Sequence, residues 1–288
     1  MDKSLAYHGV INAMEAKAGW TPMSRFASAV GHAIHGHLPY ERYHAAGLKR
    51  ATEGTSEGAI ERLIVDFIDT DLNPLLSFAA AFRRPAGVVA AFNAYNESAQ
   101  LGVRTNIHAG SVSTPRGTAR VNRSALASGE DPSLCRVGTM AALDAILRRV
   151  GREVAGGLPH SAHSLASVAN HLGVQHTAAA EVAMVFEVEG HASIGHVASR
   201  LGCHQRTLER RLRQLGVTAE ALRQASRLTR SAARLSSSDS LAAIAADEGF
   251  SDLAHMTRSF QASCGMPPSL MRRLLWAEAA TVPGDLIL

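Results

Sequence analysis

An eleven-residue pattern, S-[LI]-x-x-[VI]-A-x-x-x-G-x, occurs twice in the C-terminal third of this chain, as SIGHVASRLGC at 193–203 and SLAAIAADEGF at 240–250, a period of 47 residues. Each position has a local reason. A leading serine caps a helix by accepting an orphan N–H of its first turn. The apolar positions recur at helical spacing and form one face. The small alanine admits a second helix at close range. The closing glycine takes the left-handed conformation that stops a helix and turns the chain. The pattern therefore reads as a short helix, a tight turn and the start of a second helix, made twice. A weaker copy, SLASVANHLGV at 164–174, is followed by HTAAAEVAMVFE and no basic helix. A structural role is expected of it, as the end of the preceding region or as lead-in to a helix over 177–188.

The helices after the two turns differ. After the first comes a helix from about His204 to Leu215, with Leu208, Leu212 and Leu215 inward and Gln205, Arg206, Glu209, Arg210 and Arg213 outward. Arg206, Arg210 and Arg213 stand at i, i+4 and i+7, one stripe of the helix. A basic stripe on a helix after such a turn suits a major groove. After the second turn comes a helix from Asp252 to Gln261, with Met256 and Phe260 as its core face. Leu253, Ala254, His255, Thr257 and Arg258 lie outward or on the flanks, where positioning or apolar contact with thymine methyls is expected. The charge is distributed accordingly. The chain carries 29 basic and 25 acidic residues, and only three of the basic ones are lysine. Residues 191–273 hold 12 arginines against six acids, which leaves a net negative balance elsewhere. Arginine's planar fork matches phosphate oxygens and guanine edges.

With these residues in place, the segment 177–275 resembles the DNA-binding domain of the AraC/XylS family of bacterial transcription regulators. The likeness is carried by LGCHQRTLERRLRQLGVT at 201–218, by LRQASRLTRSAARL at 222–235, and by IAADEGFSDLAHMTRSFQASCGMPPSLMRR at 244–273. It implies two helix-turn-helix units joined by a long helix, with the second helix of each unit entering the major groove on one face of the duplex. It implies base reading by Arg206 and Arg210, supported by Gln205 and Glu209, and by His255 and Arg258 in the second unit. Arg213 and Thr257 complete the candidate DNA-binding set. Double-stranded DNA and RNA polymerase are the partners it implies. The sequence departs from the family's pattern at Ser231, where alanine is usual, at Met256 and Met271, where aromatics are usual, and at acidic Glu248 before the turn glycine.

The region before the repeat is mixed. Helical periodicity runs over 58–69 and 139–149, while 101–107 and 117–123 read as strands flanking a Gly/Ser/Pro turn. The expected fold class is thus an α+β N-terminal sensor domain followed by an all-α domain with two helix-turn-helix units. The expected divisions are 1–150 for effector binding or dimerisation, 151–176 for a linker and helical lead-in, 177–275 for DNA binding and 276–288 for a tail. Aromatics are only 5% of the chain, so its packing leans on Ala, Leu, Val and Ile in closely spaced helices. The run 101–150 faintly resembles small α+β sensor domains, among them the haem-nitric-oxide-binding group and its haem-free relatives, and no haem is expected. An effector pocket is expected around Phe78, Phe82, Val88, Phe92 and Tyr95. Ordinary core is the competing reading of each.

Several chemistries lack their residues. No phosphate-cradling GxxxxGK and no HExxH is present. His32, His35, His37, His160 and His163 are expected to be solvated or satisfied histidines rather than metal ligands, and Asp66, Asp69 and Asp71 a cap or solvated edge. Cys135, Cys203 and Cys264 form no CxxC pair and fit free thiols in a reducing cytoplasm. The most apolar stretch, Phe78 to Phe92, is broken by Arg83, Arg84 and Pro85, so no membrane span is expected. The expectation is a cytoplasmic, sequence-specific transcription regulator and not an enzyme, without metal or cofactor. A small-molecule effector and a second copy of the chain are its further candidate partners. A ligand-independent architectural DNA-binding protein, and an enzyme domain tethered to DNA, are the alternatives.

Overall fold

Side-chain caps set many of the helix starts. In the computed structural model, which describes residues 5–15, 20–99, 101–107, 121–125, 132–154 and 164–280, Thr21, Ser56 and Asn73 each accept a first-turn N–H of α2 (Pro22–Ile34), α4 (Glu57–Ile68) and α5 (Pro74–Ala80). Proline opens α2, α5 and α6 (Pro85–Ser98), where its missing N–H costs no hydrogen bond. The same proline, after Arg83 and Arg84, divides the apolar stretch into two helices. Between these elements lie β1 (Leu5–Tyr7), α1 (His8–Glu15), β2 (His37–Pro39) and α3 (Tyr40–Thr52). β1 and β2 pair antiparallel, with Ala6 opposite Leu38. Further on, β3 (Val103–Ile107) pairs antiparallel with β4 (Val121–Ala125), with Thr105 opposite Arg123. α7 (Ser133–Val154) comes next.

The N-terminal region is therefore mostly helical, and the α+β expectation holds only as two two-stranded sheets among the described residues. The helices expected at 58–69 and 139–149 are α4 and part of α7. The strand expected at 101–107 is β3; of the strand expected at 117–123, residues 121–123 fall in its partner β4, which continues to Ala125, and 117–120 lie outside the described residues. A helix explains why β3 needs no further strand. Asn93 of α6 donates to Ile107 O at 2.8 Å and accepts Ile107 N–H at 2.9 Å, and Asn96 Oδ1 accepts Thr105 N–H at 3.0 Å. Two asparagine side chains thus stand where a neighbouring backbone would. Of the expected linker, 151–154 finish α7, and 155–163, with His160 and His163, lie outside the described residues.

From residue 164 the chain is helical, as expected: α8 (Leu165–His171), α9 (Ala178–Val188), α10 (Ile194–Arg200), α11 (Gln205–Gln214), α12 (Ala219–Arg234), α13 (Leu241–Asp247), α14 (Leu253–Cys264) and α15 (Pro268–Ala280). α15 continues past 275, so the first residues of the expected tail are helical. Three apolar cores organise these elements. One joins α2 to α8–α12 through Phe26, Val30, Phe186, Val197, Leu212 and Leu222. A second joins α5 and α6 to the end of α12 and to α13–α15 through Phe78, Phe82, Leu228, Leu235, Phe260 and Met271. The third lies among α1, α3, α4 and α7. The weak repeat copy, α8, opens on a reciprocal Ser164–Ser167 capping box and packs in the first core, a structural role.

Ion pairs fix α12 to the second unit. Glu248, 2% exposed, lies 2.9 Å from Arg230 and 3.1 Å from Arg234. Arg234 also reaches Asp239 and Asp247, each at 2.8 Å, and its hydrogen bonds to Asp239, Asp247 and Glu248 raise its pKa above the usual arginine value. Arg272 donates to Leu235 O and Asp239 O, and Arg230 to Phe186 O. The acid at 248 that departs from the family's pattern is thus the buried partner of two linker-helix arginines. α15 is tied to α6 in turn, because Glu278 accepts the backbone N–H and the guanidinium of Arg84.

A buried polar network corrects the reading of the Asp66/Asp69/Asp71 group as a cap or solvated edge. Asp66 pairs with Arg25 at the surface, but Asp71 is 4% exposed. Asp71 accepts from Tyr7 Oη at 2.8 Å and from Asn73 N at 3.0 Å, and lies 3.0 Å from His8 Nε2. Asn73 Nδ2 donates to His32 O and to Ser263 O of α14, and Ser263 Oγ donates to Ala33 O. A Cβ on Gly36 would collide with Ser263 O and Asn73 Nδ2, so the C-terminal end of α14 meets the loop after α2 as closely as glycine allows. His32 stacks on His8 at 4.3 Å, and His37 stacks on Tyr95. Burial pushes Asp71 up, but pairing with His8, Tyr7 and Asn73 outweighs it and holds the carboxyl well below its usual range. Burial, then the neighbouring His8, brings His32 down to about 3 and His37 to about 4.

The half-buried histidines His32 and His37 make stability depend on pH. Below about pH 6.5 the unfolded chain protonates His32 and His37 while the folded chain does not, so stability drops as pH drops, by about 1.4 kcal/mol per unit per histidine over the middle of that range. Asp71 adds its loss only below about pH 4, where the unfolded carboxyl takes up its proton. Urea unfolding between about pH 7 and pH 5 should show this decline, and His37→Gln should make it shallower; a flat profile would refute the assignment. Separately, Glu248→Ala should cost about 1–3 kcal/mol in urea, because the half-buried arginines lose their partner. Asp247→Ala, at a mostly exposed carboxylate, should change little.

Candidate nucleic-acid interface

The first unit is built as the pattern requires. Ser193 Oγ accepts His196 N–H at 3.2 Å and opens α10, Val197 and Ala198 are buried, and Gly202 turns the chain at φ 64°. α11 then presents Leu208 and Leu212 to the core, while Leu215 is half-buried. Gln205, Arg206, Arg210 and Arg213 are exposed, and Glu209 is partly so. Gln205 donates to Glu209 Oε1 at 2.8 Å, and Arg213 Nε to Glu209 O at 3.3 Å. Arg206 and Arg210 make no hydrogen bond or ion pair with any described residue. Exposed Arg211 adds a further charge to the same helix.

The second unit repeats the frame with different chemistry. Ser240 Oγ accepts Ala243 N–H at 3.0 Å, Ile244 and Ala245 are buried, and Gly249 turns at φ 79°. Asp252 caps α14 by accepting His255 N–H at 2.6 Å, a bond that holds its carboxyl below the usual range. Met256 and Phe260 are fully buried. Leu253, Ala254 and Arg258 are exposed, and Arg258 has no hydrogen bond or ion pair among the described residues. His255 is half-buried, edge-on to Phe250 at 5.3 Å, with Nδ1 3.3 Å from Ser251 N. Accepting that N–H leaves the proton of a neutral ring on Nε2. The Thr257 hydroxyl donates to Leu253 O at 2.9 Å, so it is engaged within the helix.

The four candidate effector residues separate. Phe78 and Phe82 pack edge-to-face at 5.1 Å and are fully buried in the second core. Phe92 and Tyr95 line a cavity of about 80 Å³ bounded by β1, α1, α3, α4, α5, α6, β3 and α7. The sequence pattern of α6 leads to these two, but most of the walls, including Tyr7, Tyr40 and Thr105, come from segments with no motif. The histidines expected to be satisfied or solvated include half-buried His32 and His37 in the polar network and exposed His35. Among the described residues no group of three metal-ligating side chains comes together, and no helix is long and apolar enough to cross a membrane.

The comparison with family models finds one match, over residues 197–274, to a helix-turn-helix domain of the AraC type. The comparison with curated proteins returns no match, and neither does that with solved structures. The matched span begins inside α10 and ends inside α15, so it takes in both turns, the linker helix and the buried Glu248 clamp. Residues 197–274 are an AraC-family DNA-binding domain, and the turn-following helices α11 and α14 both lie within it.

Proposed function

We propose that this chain is a sequence-specific transcription regulator that reads DNA with α11 and α14, and that a small effector acting on the N-terminal region tunes that reading. The observation that carries the first part is the pair Arg206 and Arg210: exposed, unpaired among the described residues, and one turn apart on a helix braced by Leu208 and Leu212. A guanidinium held outward on a rigid helix is preorganised for a bidentate guanine contact or for phosphate. In this reading Gln205 and Glu209 orient the stripe, Arg213 meets backbone phosphate, and Arg258 with the His255 ring edge serves the second half of the site. Thr257 contributes through its methyl group.

The second part is supported by where the N-terminal helices sit. α2 packs into the core of the first unit and α5 and α6 into that of the second. The Asp71–Asn73–Ser263 chain of hydrogen bonds ends on α14 itself. A change in these helices therefore has a direct mechanical route to both units, which favours a regulated protein over a ligand-independent architectural one.

The test uses the full chain and an operator selected from a random duplex library. Arg210→Ala should weaken binding to that operator by about 1–3 kcal/mol more than binding to random DNA. Equal loss on both would reduce Arg210 to a phosphate contact. Affinity should also fall steeply between about 50 and 200 mM salt, with a log–log slope near −0.9 for each neutralised phosphate. A complex indifferent to salt would sink the proposed interface.

A further inference from the structure

The cavity beside α6 has a composition that the rest of the molecule lacks. All four tyrosines of the chain, Tyr7, Tyr40, Tyr43 and Tyr95, line it. So does Phe92, in a protein with only 5% aromatic residues. No charged side chain reaches it among the described residues. Most of its lining polar groups are already committed: Tyr7 Oη donates to Asp71, Tyr95 Oη lies 3.2 Å from His37 Nε2, Thr139 Oγ1 donates to Cys135 O, and Asn96 bonds Thr105 N and Phe92 O. Thr105, 1% exposed, is different. The residue lines the cavity, and its buried hydroxyl has no hydrogen-bond partner in the described structure. An orphaned buried hydroxyl is costly and invites a partner. Ordered water is a poor one here, because apolar cavities stay dry.

We propose that this cavity binds a small uncharged ring compound carrying one hydroxyl, of the phenol class, whose hydroxyl pairs with Thr105 Oγ1. Size, charge and shape each bear on the choice. At roughly 10–15 Å³ of such volume per water-sized group, about 80 Å³ holds about six or seven heavy atoms. A charged ligand would be buried without a counter-ion, at a cost nothing in the lining offsets. Aromatic walls favour a flat ring through edge and offset stacking. Threonine's hydroxyl both donates and accepts, which matches a phenol oxygen in either role. A ligand here touches Tyr7 and Tyr95, and Tyr7 is joined through Asp71 and Asn73 to Ser263 of α14. Any effect on DNA binding rests on the regulator reading given above; the binding site does not.

Isothermal titration of the full chain with phenol, toluene and benzoate separates the outcomes. Phenol should bind saturably at sub-millimolar to millimolar concentration, and benzoate should not. Thr105→Val, which keeps shape and removes the hydroxyl, should weaken phenol about tenfold and leave toluene unchanged. Ala142→Leu should fill the cavity and abolish both. Absent phenol binding, equal affinity in Thr105→Val, or benzoate bound as well as phenol would each overturn the site. Affinity for the selected operator, measured with and without phenol, is read separately. Phenol bound without any change in DNA affinity would remove the regulatory coupling and keep the site. DNA binding intact in a protein that ignores phenol would remove the site and keep the DNA-binding reading.

Discussion

The arrangement of both helix-turn-helix units depends on one shared helix. α12, sixteen residues and about 24 Å long, contributes Leu222 and Ala225 to the first core and Leu228 and Ala232 to the second. Two units built on the same rigid rod have their separation and rotation fixed by its length and pitch. Rigidity along the rod is of little use if its far end is loose, and Glu248 addresses that end. The buried carboxylate is held by arginines one turn apart, so α13 meets α12 at a single register. A buried acid between two arginines adds little net stability compared with an apolar contact, but it penalises any slip that would separate the charges.

The N-terminal helices are not a separate body alongside this rod. α2 completes one core and α5 with α6 the other, while α15 is tied back to α6 through Glu278 and Arg84. The C-terminal end of α14 closes against His32, Ala33 and Asn73 through polar contacts that burial leaves no water to replace. Such contacts are made or broken as a set, since each buried group left alone carries its own desolvation cost. That is the physical basis for linking the N-terminal region to the orientation of the second unit.

How much of this the sequence discloses depends on the range of each signal. The two turns, their serine caps and the inward leucines are local, and the pattern locates α10, α11, α13 and α14 to within about three residues. Proline at 85 marks the break between α5 and α6. The network of Tyr7, His8, Asp71, Asn73 and Ser263 joins residues far apart in the chain, and no spacing announces it; Asp71 looks like one more acid after a helix. The covering of β3's free edge has the same origin, because Asn93 and Asn96 take the place of a neighbouring strand only once α6 lies alongside β3. The cavity is legible in part, through Phe92 and Tyr95, while Phe78 and Phe82 show that an apolar run cannot tell core from cavity wall.

The two units differ in a way that bears on how such a protein would find and hold a site. α11 carries unpaired guanidinium groups, so its attraction to a duplex begins at long range, before Arg206 and Arg210 come within reach of base edges. α14 carries one such group, an apolar start at Leu253 and Ala254, and a histidine whose ring is set by Phe250 and Ser251. Its contacts are short-ranged and its far end is bonded to the N-terminal region. In the proposed reading, the first unit supplies the encounter and the second supplies the condition. The charge of α11 draws the protein toward DNA, and the fit of α14 to the next groove then depends on where the N-terminal helices hold its C-terminal end.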